Sequence, residues 1–149
     1  MNQKTRIAEM AKEALRAGEA KKVEVLRYLL SLLQKRELEL PPGEMEEKEV
    51  LQVLQKEAKR KEEAKGMFAK AGRDDLVKEL EEELVILGQF LPESLGEAEV
   101  EKIVREERAK GGEMQFGELM RAAMGRLQGR ADGRVVSGLV KKVLDEQEG

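Results

Sequence analysis

Cysteine and histidine are both missing from this sequence, and aromatic residues make up only 3% of it. Without cysteine, the chain can form neither a disulfide nor a thiolate metal site, and it has no thiol nucleophile. Without histidine, it lacks the commonest metal ligand and the commonest general base near neutral pH. The sequence therefore favours a binding protein over an enzyme acting alone, and it predicts no cofactor and no metal site.

Long apolar runs are missing as well. No stretch approaches the roughly 20 residues that a membrane span needs. The first six residues lead into an amphipathic pattern, which differs from the apolar centre of a signal peptide. We therefore expect a cytoplasmic protein without a membrane partner. The abundance of Glu, Lys and Arg together with the lack of Cys also favours a thermophilic source, where ion-pair networks are common.

Charged residues are abundant, at 40% of the chain, and their distribution is uneven. The net charge of −3 argues mildly against a general nucleic-acid binder. However, residues 1–36 contain nine basic and four acidic residues, and residues 110–142 contain seven basic and three acidic residues. These two basic segments would suit a polyanionic partner.

Apolar residues recur at three- and four-residue spacing along most of the chain, which indicates amphipathic helices. The predicted helices cover residues 3–17, about 19–39, about 46–71, about 74–91, about 97–109, about 115–127 and about 134–145. We expect Leu76, Leu80 and Leu84 to lie on the buried face of the fourth helix, and Phe116 to point inward from the sixth. No segment shows the alternation typical of strands.

Proline and glycine divide this pattern into two groups of helices, and the best boundary is the Leu91-Pro92 step. The predicted fold class is all-α, with two unlike helical bundles. An N-terminal four-helix bundle covers residues 1–92, and a C-terminal three-helix bundle covers residues 93–149. Short connections favour antiparallel neighbours within each bundle.

The sequence gives little support to a catalytic pair of acidic residues or to a glycine-rich nucleotide-binding loop. Runs of acidic residues such as Glu81-Glu82-Glu83 resemble acid pairs, but adjacent helical residues point about 100° apart and do not converge on one pocket. The glycines form no phosphate-binding loop of the Walker type and no dinucleotide fingerprint. Solvated helix faces explain the carboxylates more simply.

The basic C-terminal segment is the candidate binding surface. Its candidate RNA-binding residues are Arg121, Arg126, Gly129, Arg130, Gly133, Arg134, Lys141 and Lys142. Arginine offers a planar fork for phosphates, and glycine permits close approach of the backbone. Because aromatic residues do not interleave, contact would be to backbone and shape rather than by base stacking. Arg16, Lys21, Lys22 and Arg27 of the first two helices would extend this surface.

The same residues have a simpler interpretation. The basic side chains would then be ordinary surface charges paired with glutamates, and the segment from Gly129 to Gly133 would be a turn between helices. Met114, Met120 and Met124 are open to two interpretations as well. They form either part of the core or a flexible apolar surface for a partner helix.

Several segments in this order resemble the GatB/YqeY family, and specifically its YqeY-like proteins. They are Ala14-Leu15-Arg16-Ala17-Gly18, Val25-Leu26-Arg27-Tyr28-Leu29-Leu30, the residues 55–62 (QKEAKRKE), the residues 68–76 (FAKAGRDDL), Leu91-Pro92, and the residues 129–137 (GRADGRVVS) followed by Leu139-Val140-Lys141. The sequence departs from the family pattern at Gly96, Glu118, Arg121 and Gly125. The family resemblance covers about residues 14–144.

The resemblance implies two unlike helical bundles and a relation to the C-terminal region of the B subunit of the tRNA-dependent amidotransferase. In that enzyme the tail bundle helps to hold tRNA by its elbow, while the carbon–nitrogen ligase chemistry, with glutamine as amido donor, takes place elsewhere. We therefore expect a non-catalytic accessory protein that binds tRNA or a similarly structured RNA. The alternative is a protein–protein adaptor that docks on an amidotransferase, a synthetase or another translation complex.

Overall fold

The structure, a computed structural model, describes residues 2–146 of the chain, which form seven α-helices and no strand. The helices are α1 (Gln3–Ala17), α2 (Ala20–Glu39), α3 (Glu47–Lys70), α4 (Asp74–Gly88), α5 (Glu97–Gly111), α6 (Phe116–Leu127) and α7 (Gly133–Asp145). The predicted all-α class is confirmed. In the described part of the chain, no helix is both long and apolar enough to span a bilayer.

Local signals set the ends of α1. The side chain of Asn2 accepts a hydrogen bond of 2.9 Å from the backbone N–H of Thr5, which satisfies one free donor at the start of the helix. Gly18 ends the helix with a φ of 74°, a left-handed conformation that favours glycine. The backbone N–H of Glu19 then donates to the carbonyl of Ala14 at 3.0 Å. These contacts set the tight turn into α2.

Internal contacts divide the chain into two compact units, Met1–Leu91 and Pro92–Gly149, which we call the N-terminal and C-terminal units. In the N-terminal unit, α1 packs on α2 and α3 packs on α4, while α2 also contacts both α3 and α4. Large aliphatic side chains dominate its core. Its most deeply buried members are Ile7, Leu26, Leu29, Leu33, Val50, Leu54, Leu87 and Phe90.

The apolar face of α4 is less buried than the sequence pattern predicts. Leu87 lies in the core, but Leu76, Leu80 and Leu84 are half-buried and belong to neither hydrophobic core of the described residues. Lys21 in the first turn of α2 contacts Glu79 and Glu83 of α4, so α2 begins beside these residues and Leu76 lies nearer the start of α4 than its contacts.

In the C-terminal unit each of α5, α6 and α7 packs on the other two. Its core is built mainly from valine and leucine, namely Val100, Val104, Leu119, Ala123, Leu127, Val136, Leu139, Val140 and Val143. The expectation that Phe116 points inward is wrong, since 43% of its surface is exposed. It is the first residue of α6 and lies at the edge of a surface cavity, whereas Met114 and Met120 pack partly against the core.

Candidate nucleic-acid interface

The connection between α6 and α7 is built from helix-ending and helix-starting signals. Gln128 and Gly129 take left-handed conformations, with φ of 48° and 77°. Asp132 begins the next helix, and its Oδ1 accepts a hydrogen bond of 2.7 Å from the backbone N–H of Arg134. The turn conformation therefore accounts for glycine at position 129, without reference to a ligand.

Arg130 closes the end of α6 with its own side chain. Its Nε donates to the carbonyl of Leu127 at 3.0 Å, and its Nη2 donates to the carbonyl of Arg126 at 3.2 Å. Its backbone carbonyl also accepts a hydrogen bond of 2.8 Å from the N–H of Leu95, which precedes α5. The half-buried guanidinium thus stabilises the turn, and some of its donors are already engaged there.

Arg126 pairs with the acidic side of α5. Its Nη1 lies 2.8 Å from a carboxylate oxygen of Glu106 and 3.7 Å from one of Glu107. The hydrogen bond to Glu106 raises the pKa of Arg126, and the same bond lowers the pKa of Glu106. A phosphate that binds Arg126 would compete with these carboxylates.

Lys142 of α7 is paired in the same way. Its Nζ lies 2.8 Å from a carboxylate oxygen of Glu101 on α5. The hydrogen bond raises the pKa of Lys142 and lowers that of Glu101. Helix α5 therefore partly neutralises one basic residue from each of its two neighbours.

The other three candidate cations are exposed. The side chains of Arg121, Arg134 and Lys141 make no hydrogen bond or ion pair with any of the residues from 2 to 146. Arg134 and Lys141 are seven residues apart on α7, so they lie on the same helical face about 10 Å apart along its axis. This arrangement leaves two cations facing solvent on α7 and a third on α6.

Gly138 lies between Arg134 and Lys141 on that face, four residues after the first and three before the second. It is exposed, and a Cβ atom built on it would meet nothing within 4 Å. Gly138 is not among the candidate residues predicted from the sequence, although its four-residue spacing from Arg134 could have placed it on the same face. Gly133, which the sequence did single out, has similar open space around it and begins α7.

The basic residues predicted on the first two helices fall into two groups. Lys21 pairs with Glu79 at 3.0 Å and Glu83 at 3.6 Å, and Lys22 lies 3.8 Å from Glu19. Arg16 and Arg27, by contrast, are exposed and make no ion pair within the described part of the chain. The N-terminal unit therefore uses part of its basic charge inside its own fold.

A surface cavity of about 740 Å³ lies in the C-terminal unit, between the end of α5, the start of α6 and the end of α7. Both signs of charge line it together with apolar side chains; the lining residues are Arg108, Glu113, Met114, Gln115, Phe116, Glu118, Lys141, Leu144 and Asp145. Its three carboxylates disfavour a small anionic ligand. Among the residues that the structure describes, no cluster of acidic side chains is arranged to hold a metal ion.

Comparison with known proteins places the whole of this architecture in one family. The model of the family described as Yqey-like protein matches residues 4–144. This range covers all seven helices except the first residue of α1 and the last residue of α7. No curated protein matches the chain. The match spans both compact units and the candidate cations on α6 and α7. The chain belongs to the YqeY-like protein family.

Proposed function

We propose that this chain is a non-catalytic accessory protein that binds tRNA or a similarly structured RNA through contacts to the phosphate backbone. Membership of the YqeY-like family is consistent with a domain related to the amidotransferase B subunit. The resemblance noted in the sequence implies that such a domain holds the elbow of tRNA, while ligase chemistry belongs to a separate catalytic part.

One observation carries the proposal, namely the exposed face of α7 that contains Arg134, Gly138 and Lys141. The two cations are free to bind phosphates without first breaking an ion pair within the described chain. Gly138 leaves the helix surface between them without a side chain, so that a nucleic-acid backbone can approach closely. Arg121 adds a further free cation on α6.

The ion pairs on α5 limit the size of this interface. Arg126 and Lys142 are held by carboxylates, so about three cations remain for phosphates in the first encounter. With about three phosphates neutralised, the logarithm of the binding constant should fall with the logarithm of salt concentration at a slope of about −2 to −3. The proposed protein therefore binds RNA with moderate affinity and a measurable salt dependence.

The first experiment measures tRNA binding by fluorescence anisotropy across a salt series. The test variant combines Arg121→Gln, Arg134→Gln and Lys141→Gln. The matched control combines Lys35→Gln, Lys48→Gln and Lys56→Gln, which remove the same charge from exposed positions of the N-terminal unit. We expect the test variant to lose most of the binding and most of the salt dependence, while the control retains both. No binding at low salt, or an equal loss in both variants, would reject the proposal.

The glycine on α7 allows a second test without removal of any cation. Gly138→Glu places a carboxylate between Arg134 and Lys141, whereas Gly138→Ala adds only a methyl group in open space. We expect Gly138→Glu to weaken tRNA binding strongly and Gly138→Ala to leave it nearly unchanged. Equal binding by the two variants would show that RNA does not approach this face.

A third test releases a cation that the fold now neutralises. Glu106→Gln removes the main partner of Arg126, and Glu97→Gln removes an exposed carboxylate elsewhere on α5 with the same change of charge. If Arg126 belongs to the RNA surface, Glu106→Gln should tighten tRNA binding more than Glu97→Gln does. Similar gains in both variants would indicate only a change of overall charge.

The exposure of Phe116 favours a second candidate function, that of a protein–protein adaptor. The ring lies beside the cavity of the C-terminal unit, which both apolar and charged side chains line, as in the rim of a protein interface. Direct binding of a purified amidotransferase or synthetase, weakened by Phe116→Glu and retained in a variant with Arg121→Gln and Arg134→Gln, which lie outside the cavity lining, would support this adaptor. Binding of tRNA with no such protein contact would exclude it.

A further inference from the structure

Another surface cavity, of about 470 Å³, lies in the N-terminal unit at the turn between α1 and α2. Its lining residues are Ala14, Leu15, Gly18, Glu19, Ala20, Val23, Glu24 and Arg27. On α2, Val23, Glu24 and Arg27 follow Ala20 by three, four and seven residues, so the four residues share one face of that helix. The volume is within the range of about 300–1,000 Å³ that is typical of small-molecule sites.

Much of the lining is aliphatic. Ala14 and Val23 are buried, whereas Ala20 is exposed and Leu15 is 58% exposed. A single exposed leucine is ordinary, but this one adjoins further apolar surface within the same cavity. None of the lining residues is aromatic, so a nucleobase would find no ring on which to stack. The group that this lining can bury is therefore an aliphatic side chain.

Two side chains of opposite charge border the aliphatic surface. Glu24 and Arg27 are exposed, and neither makes an ion pair with any of the residues from 2 to 146. Side chains on a helix point back toward its start, which directs both of them over the preceding turn, where α2 contributes its aliphatic lining. Glu19, the third charged lining residue, has Lys22 at 3.8 Å. The cavity thus offers a carboxylate and a guanidinium without ion-pair partners.

We propose that this cavity binds a free aliphatic amino acid, such as leucine, in its zwitterionic form. The ammonium group pairs with Glu24, and the carboxylate pairs with Arg27. The aliphatic side chain packs against Leu15 and Val23. A simple anion would leave Glu24 unmatched, and a simple cation would leave Arg27 unmatched. From Ala20 to Arg27 the cavity extends only about 10 Å along α2, which suits a small molecule better than a long peptide.

The first test titrates leucine into the isotope-labelled full chain and follows the backbone amide signals by NMR. We expect saturable changes confined to residues around the cavity, within 14–27. Leucinamide lacks the carboxylate, and N-acetyl-leucine lacks the ammonium group. Each should bind about two- to fivefold more weakly than leucine, because each loses one charge contact at an exposed site. No change at these residues with millimolar leucine, or equal binding of the three compounds, would overturn the proposal.

The second test assigns each charge contact to its residue. In Arg27→Gln, leucine and leucinamide should bind alike, because the contact to the carboxylate is lost. In Glu24→Gln, leucine and N-acetyl-leucine should bind alike, because the contact to the ammonium group is lost. The matched controls are Arg16→Gln and Glu13→Gln, which remove the same charges from exposed positions of α1 outside the lining and should retain both preferences. Preferences unchanged in the two test variants would exclude these contacts.

The third test fills the cavity. Ala20→Leu adds an aliphatic side chain at an exposed lining position, and Ala17→Leu adds the same side chain at an exposed position of α1 outside the lining. We expect Ala20→Leu to abolish leucine binding and Ala17→Leu to leave it unchanged, while circular dichroism checks that both variants fold. Equal binding by both would place leucine elsewhere and overturn the proposal. These measurements contain no RNA, so their failure is distinguishable from failure of tRNA binding, which is assigned to the C-terminal unit.

Discussion

The two units have similar shares of charged residues but use them differently. In the N-terminal unit, ion pairs join helices throughout the fold, as Arg36 of α2 with Glu49 of α3 and Lys61 of α3 with Glu83 of α4 do. In the C-terminal unit, the cross-helix pairs of Arg126 and Lys142 both end on α5. Helix α5 thus pairs with one cation of each neighbouring helix, whereas Arg121, Arg134 and Lys141 make no ion pair within the described residues.

The two units also differ in whether a charged side chain is buried in their interior. The N-terminal unit buries Glu57, of which only 6% is exposed, within 3.6 Å of Lys61 and 3.7 Å of Arg60. Lys61 in turn lies 5.5 Å from the centre of the Tyr28 ring. The core of the C-terminal unit is apolar in every described member. A charged residue therefore belongs to the buried interior of the first unit, whereas the buried residues of the second unit are apolar.

The largest expected effect is on the free energy of unfolding, and it contrasts two leucines of the N-terminal unit that differ in burial. Leu54→Ala removes a fully buried side chain and should lower the free energy of unfolding by about 2–5 kcal/mol. Leu80→Ala removes a half-buried side chain of the α3–α4 hairpin and should cost only about 1 kcal/mol. Urea unfolding at low protein concentration measures both. Equal losses would mean that Leu80 is as well packed as the core.

The helices themselves could be predicted from the sequence because each carries its own signals. Apolar spacing gave their number, and Gly18, Pro41 and Pro92 marked their limits. The degree of burial could not be predicted in this way. Leu76 and Leu80 follow the same spacing as Leu87, but only Leu87 lies in the core. Periodicity identifies the apolar face of a helix, whereas burial depends on how the neighbouring helices pack on it.

The candidate site could be predicted as a set of basic residues but not as an arrangement. The sequence grouped Arg126, Arg130 and Arg134 by proximity, and the structure gives them three different surroundings: an ion pair, a helix cap and open solvent. These surroundings depend on which residues of α5 lie opposite, and chain order does not show that. The seven-residue spacing of Arg134 and Lys141 could have predicted that both lie on one face of a helix.

The next effect contrasts a buried ion pair with an exposed one. Glu57→Ala removes a buried carboxylate and deprives Lys61 of one of its two anionic partners, so it should cost about 1–3 kcal/mol. Glu106→Ala removes the exposed partner of Arg126 and should cost distinctly less, because water replaces the lost contact. Thermal and urea unfolding of both variants measure the difference. A larger loss from Glu106→Ala would contradict the view that the buried carboxylate of Glu57 contributes more to stability than the partly exposed one of Glu106.

A smaller effect is expected at the helix caps, of which each unit has one formed by a side chain at the start of a described helix. Asp132→Ala at α7 should cost about 0.5–2 kcal/mol, and Asn2→Ala at α1 should cost a similar amount. The two losses differ in their functional consequence. Because Asp132 holds the backbone of Arg134, its loss should also weaken tRNA binding, whereas the loss of Asn2 should not. Asp132→Asn, which retains a capping oxygen, should restore both properties.

The smallest effect is a dependence of stability on pH that resides in the α5 ion pairs. Hydrogen bonds from Lys142 and Arg126 lower the pKa values of Glu101 and Glu106. A carboxyl group whose folded pKa lies below its unfolded value, about 4.3 for Glu, stabilises the fold above that value and loses this contribution as the pH falls through the folded pKa. Both groups are partly exposed to solvent, so the contribution is small and should decrease in high salt. In urea unfolding between about pH 5 and pH 3, the double variant Glu101→Gln, Glu106→Gln should therefore lose less stability on acidification than the wild type does. A control with Glu97→Gln and Glu99→Gln, also on α5 but without ion pairs in the described chain, should follow the wild type. If the two double variants behaved alike, the acid sensitivity would come from the total charge of the chain rather than from the pairs that α5 makes with α6 and α7.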